Sequence, residues 1–405
     1  MPTECDVLVV GGGMVGGMLA GALAASGFNV VVLEARAPRT FSPDDPFDLR
    51  VSALSIASER MLRAVGAWEH IVARRACPYQ HMQVWDGEQG GETAFFSGDI
   101  GEPHLGHIVE NRVLQLALTD VLQASPDVTL ACPAVLDDLL IDDNHAEAIL
   151  EGGHRIRSRL VVGADGADSK VRELVGIASG RQCYPQRALV ATIQTELPQQ
   201  SVTWQRFLPT GPQAFLPLPG AHASMVWYHS KDEIRRLADL PDEVFIREME
   251  AAFPPQLGSV AGLVGRGSFP LHRSHAERYV QPRIALVGDA AHTVHPLAGQ
   301  GVNLGLLDAA CLAETVVRAS RLQKDIGHLH RLRPYERWRR GENALMIQVL
   351  DGFYQAFKPQ PPAIGQLRSL ALNVADRLAP MKRMVIRHAT GTAGDLPMLA
   401  HGRLP

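Results

Sequence analysis

The chain has little cysteine, little net charge and no long apolar run, and each shortage closes off a class of function. Its five cysteines, Cys5, Cys77, Cys132, Cys183 and Cys311, are odd in number, scattered and without any C-x-x-C spacing. Neither a disulfide framework nor a thiolate metal site follows from them, and a reducing compartment is expected. A formal net charge of −4 offers no basic field for nucleic acid. Residues 5–33 come nearest to a membrane-length apolar run. Six glycines interrupt them between 11 and 21, and the first six residues hold Glu4 and Asp6 with no Lys or Arg. Such a segment suits neither a signal peptide nor a membrane span, so a cytoplasmic enzyme is expected. Internal repeats and low-complexity tracts are also missing.

What the chain does have is bulk: 405 residues at 46% hydrophobic content are enough for about two domains. The most informative stretch is Ile284 to Gly305, reading IALVGDAAHTVHPLAGQGVNLG. Ile284–Val287 has the branched apolar character of a buried parallel strand. Gly288-Asp289 ends it with a turn that leaves a carboxylate at the strand's carboxyl end, where α/β folds bind ligands. A Pro- and Gly-rich loop follows, and then a helical run from Asn303 to Ala310. Gly299 and Gly301 let backbone N–H groups approach a ligand, with the positive end of the helix directed the same way. That arrangement suits a flat cofactor carrying negative charge.

The N-terminus supplies a second site element. Cys5–Val10 reads as a buried strand, Gly11-Gly12-Gly13-Met14-Val15-Gly16 as G-x-G-x-x-G, and a small-residue helix runs on to about Ser26. A second strand, Asn29–Leu33, ends in Glu34. In this βαβ unit Gly11 makes the turn, Gly13 lets the backbone meet a pyrophosphate and Gly16 lets helix and strand pack. Glu34 is placed to accept from adenosine ribose hydroxyls, which argues against an NADP 2′-phosphate there; FAD and NAD are not separated by this motif. Arg50, after a Pro/Asp-rich loop, is a candidate to pair with a phosphate or cover a ring edge. The segment from His107 to Leu122 reads as a helix. A third strand–turn–helix, Leu160 to Arg172, carries Asp165 where the first motif carries its glycines.

Residues 186–278 differ. Ala188–Glu196, Val202–Leu208, Gln213–Pro219 and Ala223–His229 are short strand-like runs between Pro/Gly turns, the pattern of an antiparallel sheet in a separate layer. Trp204, Phe215 and Trp227 are candidates to wall an apolar pocket facing the cofactor. The C-terminal stretch is helical in pattern, and 367–388 is basic and amphipathic through Arg368, Arg377, Lys382, Arg383, Arg387 and His388. Such a segment suits packing on its own domain or contact with an anionic membrane surface. The expected class is α/β, with a second α+β domain on the antiparallel sheet and C-terminal helices. The expected division is a discontinuous cofactor domain at 1–75, 100–185 and 280–345, a substrate domain at 76–99 and 186–279, and a helical segment at 346–405.

Taken together, GGGMVG at 11–16, GADGADSKVR at 163–172 and GDAAHTVHPLAGQGVNLG at 288–305 resemble the FAD-dependent aromatic hydroxylases of the p-hydroxybenzoate hydroxylase type, over nearly the whole chain. PFDLRVSALS, HIVENRVLQLAL, VTWQRFLPTGPQAFLPL and ASMVWYHS look most like the ubiquinone-biosynthesis hydroxylases, within them the branch acting on 2-polyprenyl-3-methyl-6-methoxy-1,4-benzoquinol. The resemblance implies a Rossmann-like FAD-binding domain of the GR2 type. It also implies hydroxylation of a polyprenylated quinol or phenol with NAD(P)H and O2 through a C4a-hydroperoxyflavin. Gly11, Gly13 and Gly16 then meet the FAD pyrophosphate, Glu34 the adenosine ribose, and Arg50 lies near the flavin and phosphates. Asp165 belongs to a motif shared by FAD and NAD(P)H contacts, and Asp289 holds the ribityl or pyrophosphate region. Pro296 lies beside the isoalloxazine, with Gly299, Gln300, Gly301 and Asn303 around its pyrimidine edge.

Where many relatives carry Arg or Gln, this chain has Asn111, and neighbouring Arg112 is the candidate to substitute in the flavin contact. His295, beside Pro296, is the candidate to tune the substrate hydroxyl, whereas His292 reads as structural. No second G-x-G-x-x-G is present, so NAD(P)H is expected to bind transiently across the surface. The chemistry requires no metal and the sequence indicates none. The implied partners are a prenylated aromatic substrate, O2 and a ubiquinone-biosynthesis complex, with peripheral contact at the inner membrane. Other readings are a same-fold flavin enzyme with another aromatic or prenyl substrate, and a nonenzymatic FAD-bound subunit.

Overall fold

The structure is a computed structural model, and it describes residues 2–254, 258–295, 299, 301–358, 365–366, 369 and 378–405. Pro296, Gln300, Arg368 and Arg377 lie outside the described residues.

Two large sheets organise the chain. In the first, Glu4–Val10 lies between Arg155–Gly163 and Val30–Leu33, parallel to both. Val128–Ala131 extends the parallel set on one side and Ile284–Leu286 on the other. Val7, Leu8 and Val9 are fully buried, as a parallel strand covered on both faces requires. The Met14–Ala24 helix lies close to the first turn through Gly16, which faces Gly11 O and Ala164, and close to the Asn111–Ala124 helix through Gly17 and Gly21, which face Leu118 and Val121.

Among the described residues the second sheet has eight strands. Its long central members, Ser179–Thr195 and Val260–Ala276, pair antiparallel. His222–Ser230, Gln213–Leu218 and Val202–Phe207 follow in antiparallel order, and His81–Asp86 joins Val202–Phe207 in parallel. At the opposite edge His292–Thr293 pairs with Val260–Ala276. The sheet edge is therefore built from the 284–305 stretch itself.

Side-chain alternation gives the second sheet two unlike faces. Met225 and Trp227 point to one side, where Lys231–Asp239 and Asp242–Ala252 cover them with Ile234, Leu237, Phe245 and Met249. Tyr228 points to the other, toward Val294, Leu304 and the Leu329–Ala356 helix.

One local expectation is corrected. Gly106–Glu110 is strand, paired antiparallel to Val51–Ser55, and the helix starts only at Asn111. The branched pair Ile108-Val109 is fully buried in this small sheet, where β-branched side chains pack well, and tertiary pairing overrides the helical spacing of its apolar residues.

Candidate active site

Three strand ends meet at one edge of the first sheet. Gly11 has φ of +105°, and a side chain there would stand 2.4 Å from the Ala164 carbonyl oxygen. The first turn therefore lies directly against the Ala164-Asp165 turn, in a conformation and a space that only glycine accepts. A side chain at Gly305 would stand 2.6 Å from Val15 Cγ2, so the helix after the third turn packs onto the first motif. Arg172 ties the second turn to the third: its guanidinium donates to Ala167 O at 2.7 Å and to Ala290 O at 2.8 Å.

The Met14–Ala24 helix begins on Gly13 with no side-chain cap and no acidic residue in its first turn. Its first N–H groups and positive end are left for an anion, and the space over Gly13 is open. Glu34 is half-buried and fixed by backbone, with Oε2 accepting from Gly12 N at 2.9 Å and Oε1 from Arg36 N at 3.0 Å. Asp165 Oδ2 accepts from Val171 N at 3.1 Å, while its Oδ1 is buried without a partner.

At the other end of the site, Gly299 turns with φ of +62° against Ala53. Asn303 is buried; it donates to Ala53 O at 2.8 Å and accepts from Ser55 N at 3.0 Å and Ser58 Oγ at 2.7 Å. It pins the Gly301–Arg321 helix, which has no acid in its first turn, onto the 51–58 segment. Asn111 Oδ1 accepts from Ser52 Oγ at 2.7 Å, and Asn111 N donates to Arg50 O at 3.0 Å. Arg50 itself is exposed, its guanidinium 5.6 Å from the Phe269 ring centre. Arg112 keeps one nitrogen, Nη2, buried without a partner. It is buried and turned to Asp45, Asp48 and Thr40 O, each at 2.9 Å.

Asp289 opens to solvent at the third turn. Surrounding protein raises its carboxyl above the usual range, opposed by the nearby charges of His292, Arg50 and His272. Beneath it, Asp308 is fully buried and accepts from Gly288 N at 3.2 Å, His292 Nε2 at 2.5 Å, Arg339 Nε at 2.8 Å and Asn343 Nδ2 at 2.9 Å. Burial works against its charge, but His292 and Arg339 outweigh burial and hold the carboxyl down at about 2. This clasp fixes the turn that presents Asp289.

Residues 4–340 match the FAD binding domain family. The 3-demethoxyubiquinol 3-hydroxylase of Escherichia coli (strain K12) is 42% identical over 96% of this chain and 99% of its own. The chain belongs to the family of FAD-binding hydroxylases. Ubiquinone hydroxylase UbiL of Rhodospirillum rubrum is 40% identical, over 96% of this chain and 90% of its own. The p-nitrophenol 4-monooxygenase PnpA from Pseudomonas putida DLL-E4 shares the fold, with a TM-score of 0.78 at 18% identity over 98% of this chain and 100% of its own. This hydroxylase is an FAD-dependent monooxygenase.

The residues present fit FAD. The uncapped helix start at Gly13, the anchored Glu34 carboxylate and the unpartnered Asp165 Oδ1 are what a dinucleotide would occupy. Near the third turn, His295 is 2% exposed and neither ring nitrogen has a partner. Its ring centre lies 4.6 Å from Tyr184, 5.2 Å from Tyr354 and 5.7 Å from Tyr228. Burial lowers its pKa to about 4, against a weaker opposing pull from Asp351, so the ring is neutral at neutral pH.

The aromatic wall of this hydroxylase differs from the expectation. Trp204, Phe215 and Trp227 lie on the sheet face covered by the 231–252 helices, with Trp204 and Phe215 stacked at 5.8 Å. The face that meets the third motif carries Tyr184, Phe207 and Tyr228 instead, with Tyr354 and Phe357 packed on it from the end of the Leu329–Ala356 helix. Period-two spacing shows that such side chains alternate but not which set faces the cofactor. Sequence reading also missed Arg172, Asp308 and Arg339. Arg172 was within reach as part of the GADGADSKVR motif; the Asp308–Arg339 pair joins two helices and leaves no local pattern.

Proposed function

We propose that this monooxygenase hydroxylates the ring of a polyprenylated benzoquinol in ubiquinone biosynthesis, using NAD(P)H and O2. The observation that carries the reading is the convergence of the three turns on one edge, with Gly11 against Ala164 and Gly305 against Val15, in a chain 42% identical to a demethoxyubiquinol hydroxylase.

FAD supplies the hard chemistry when bound, accepting hydride from the nicotinamide and activating O2. The chain's residues bind, orient and exclude water. Gly11, Gly13 and Gly16 with the open helix start take the pyrophosphate; Glu34 accepts from the adenosine ribose; Asp165, Asp289 and Arg50 serve the middle of the cofactor. Gly299, Gly301 and the positive end of the Gly301–Arg321 helix favour negative charge at the ring's pyrimidine edge, with Asn303 and Asn111 setting the position of that edge. Neutral His295 offers the substrate hydroxyl a hydrogen-bond acceptor that tunes it, and the tyrosine-lined face around it keeps water from the reacting ring. NAD(P)H binds transiently across the surface. Leu345, Val349 and Phe353 form one exposed apolar stripe on the Leu329–Ala356 helix, and Met384 and Val385 are exposed beside Arg383 and Arg387. These surfaces serve peripheral contact with the inner membrane, where a prenylated substrate resides.

The test is NADH or NADPH oxidation by the purified protein with a prenylated quinol, following oxygen uptake and product, with rescue of quinone synthesis in strains each lacking one ring hydroxylase. Stimulated oxidation with a hydroxylated product is expected. Reduction without oxygen uptake would make the protein a reductase, and a flavin that never reduces would make it a nonenzymatic subunit.

A further inference from the structure

Glu59 on the Ile56–Ala64 helix, His104 in the loop that follows Gly101, and His107 on the Gly106–Glu110 strand bring three potential ligand atoms within 4.8 Å of one another. His104 Nε2 lies 2.7 Å from Glu59 Oε2, and His107 Nδ1 lies 3.4 Å from the same oxygen. His107 is only 9% exposed, and its Nδ1 is buried without a hydrogen bond. A buried imidazole nitrogen left unpaired is costly, and one that faces a carboxylate and a second imidazole is arranged to share a cation.

The surroundings fit that use. Glu59 Oε1 accepts from Arg63 Nη2 at 3.0 Å, which orients the carboxylate and leaves Oε2 as the donor. The His107 ring is held between Trp68, at 4.8 Å, and His104, at 4.3 Å between centres.

We propose that Glu59, His104 and His107 bind a divalent transition-metal ion of the zinc class, with water completing the coordination. Two imidazoles and a carboxylate are a donor set that zinc accepts and that magnesium or calcium, which take oxygen ligands, do not favour. The ion plays no part in hydroxylation. The 56–64 helix carries Ser58 and follows Ser55, both bonded to Asn303, and the 106–110 strand leads directly into Asn111. A metal joining that helix to that strand clamps, from behind, the two segments that bracket the flavin end of the site.

The test uses the full-length FAD-loaded enzyme, freed of metal by chelator and titrated calorimetrically with zinc chloride. One tight zinc per chain is expected, with a zinc-dependent rise in Tm. His104→Ala and His107→Gln lose both the tight step and the Tm rise while retaining flavin, and Cys183→Ser, which removes the exposed thiol, keeps both. Magnesium chloride gives no step. No zinc step in the unaltered enzyme, or a step that survives His104→Ala, overturns the proposal. His104 sits half-buried in a loop, so its variant is expected to fold if His107→Gln does not.

Discussion

His292 and His295 are three residues apart and live in opposite environments. His292 belongs to a clasp centred on the buried Asp308 carboxylate, which accepts from His292 Nε2, Arg339, Asn343 and the Gly288 amide and leaves only His292 Nδ1 of that ring unpartnered. His295 lies in a cage of tyrosines with both nitrogens unpartnered and its pKa lowered to about 4. The first arrangement gathers four hydrogen bonds on one buried carboxylate, so it holds the third turn in place. The second keeps a neutral imidazole with free nitrogens beside the loop that follows, able to hydrogen-bond a substrate hydroxyl. One short stretch thus divides rigidity from chemistry.

The largest effect should come from breaking the clasp. Asp308→Ala leaves Arg339 Nε and His292 Nε2 buried without their acceptor, with Arg339 keeping Glu342 and Asn343, a loss of about 3 kcal/mol or more, read as a lower urea midpoint together with loss of FAD. Trp204→Ala tests the far face of the second sheet. Removing a stacked core aromatic costs about 3 kcal/mol of stability, whereas KM for the quinol stays unchanged because this face is packed on the 231–252 helices. An altered KM with little stability loss would return Trp204 to the substrate wall.

His295→Leu reverses that pattern. It removes no hydrogen bond, so urea stability at neutral pH changes little, while kcat falls by roughly 100-fold. The same variant sharpens the acid side. The folded pKa of His295, about 4, lies below the unfolded value near 6.5. Over that window the unfolded chain takes up the proton that the folded one refuses, so stability falls as pH drops from about 6.5 toward 4. His295→Leu should flatten part of this fall, and His275, lowered to about 4 by burial and by His292, should preserve the rest. The smallest effect is expected from Ser52→Ala, which removes the bond to Asn111 Oδ1 at a cost of about 1 kcal/mol and weakens FAD binding only slightly.

The clasp and the cage were unequally legible in the sequence. Gly11, Gly16 and Gly305 announce close approaches, because no other residue fits where backbone meets backbone or Val15, and the strand–turn–helix pattern around each is local. The parallel core and the convergence of turns were therefore readable. Pairing over distance was not. Asp308 and Arg339 face each other from two helices, and Glu59 meets His104 across 45 residues of chain. Likewise, Trp227 and Tyr228 differ by one position and point to opposite faces, and only the packed helices decide which face is covered. Ile108-Val109 misled because a short apolar run fits strand and helix equally until a partner strand is known.

The most direct measurement is FAD affinity of the apo-protein by flavin fluorescence titration for Gly11→Ala, Asp165→Asn and Asp289→Asn, one substitution from each turn. If the three turns clasp a single FAD, each variant binds it at least about tenfold more weakly, a loss of about 1.4 kcal/mol or more, with one FAD per chain in the unaltered protein. Unchanged affinity in any one of the three would contradict the convergence on one cofactor.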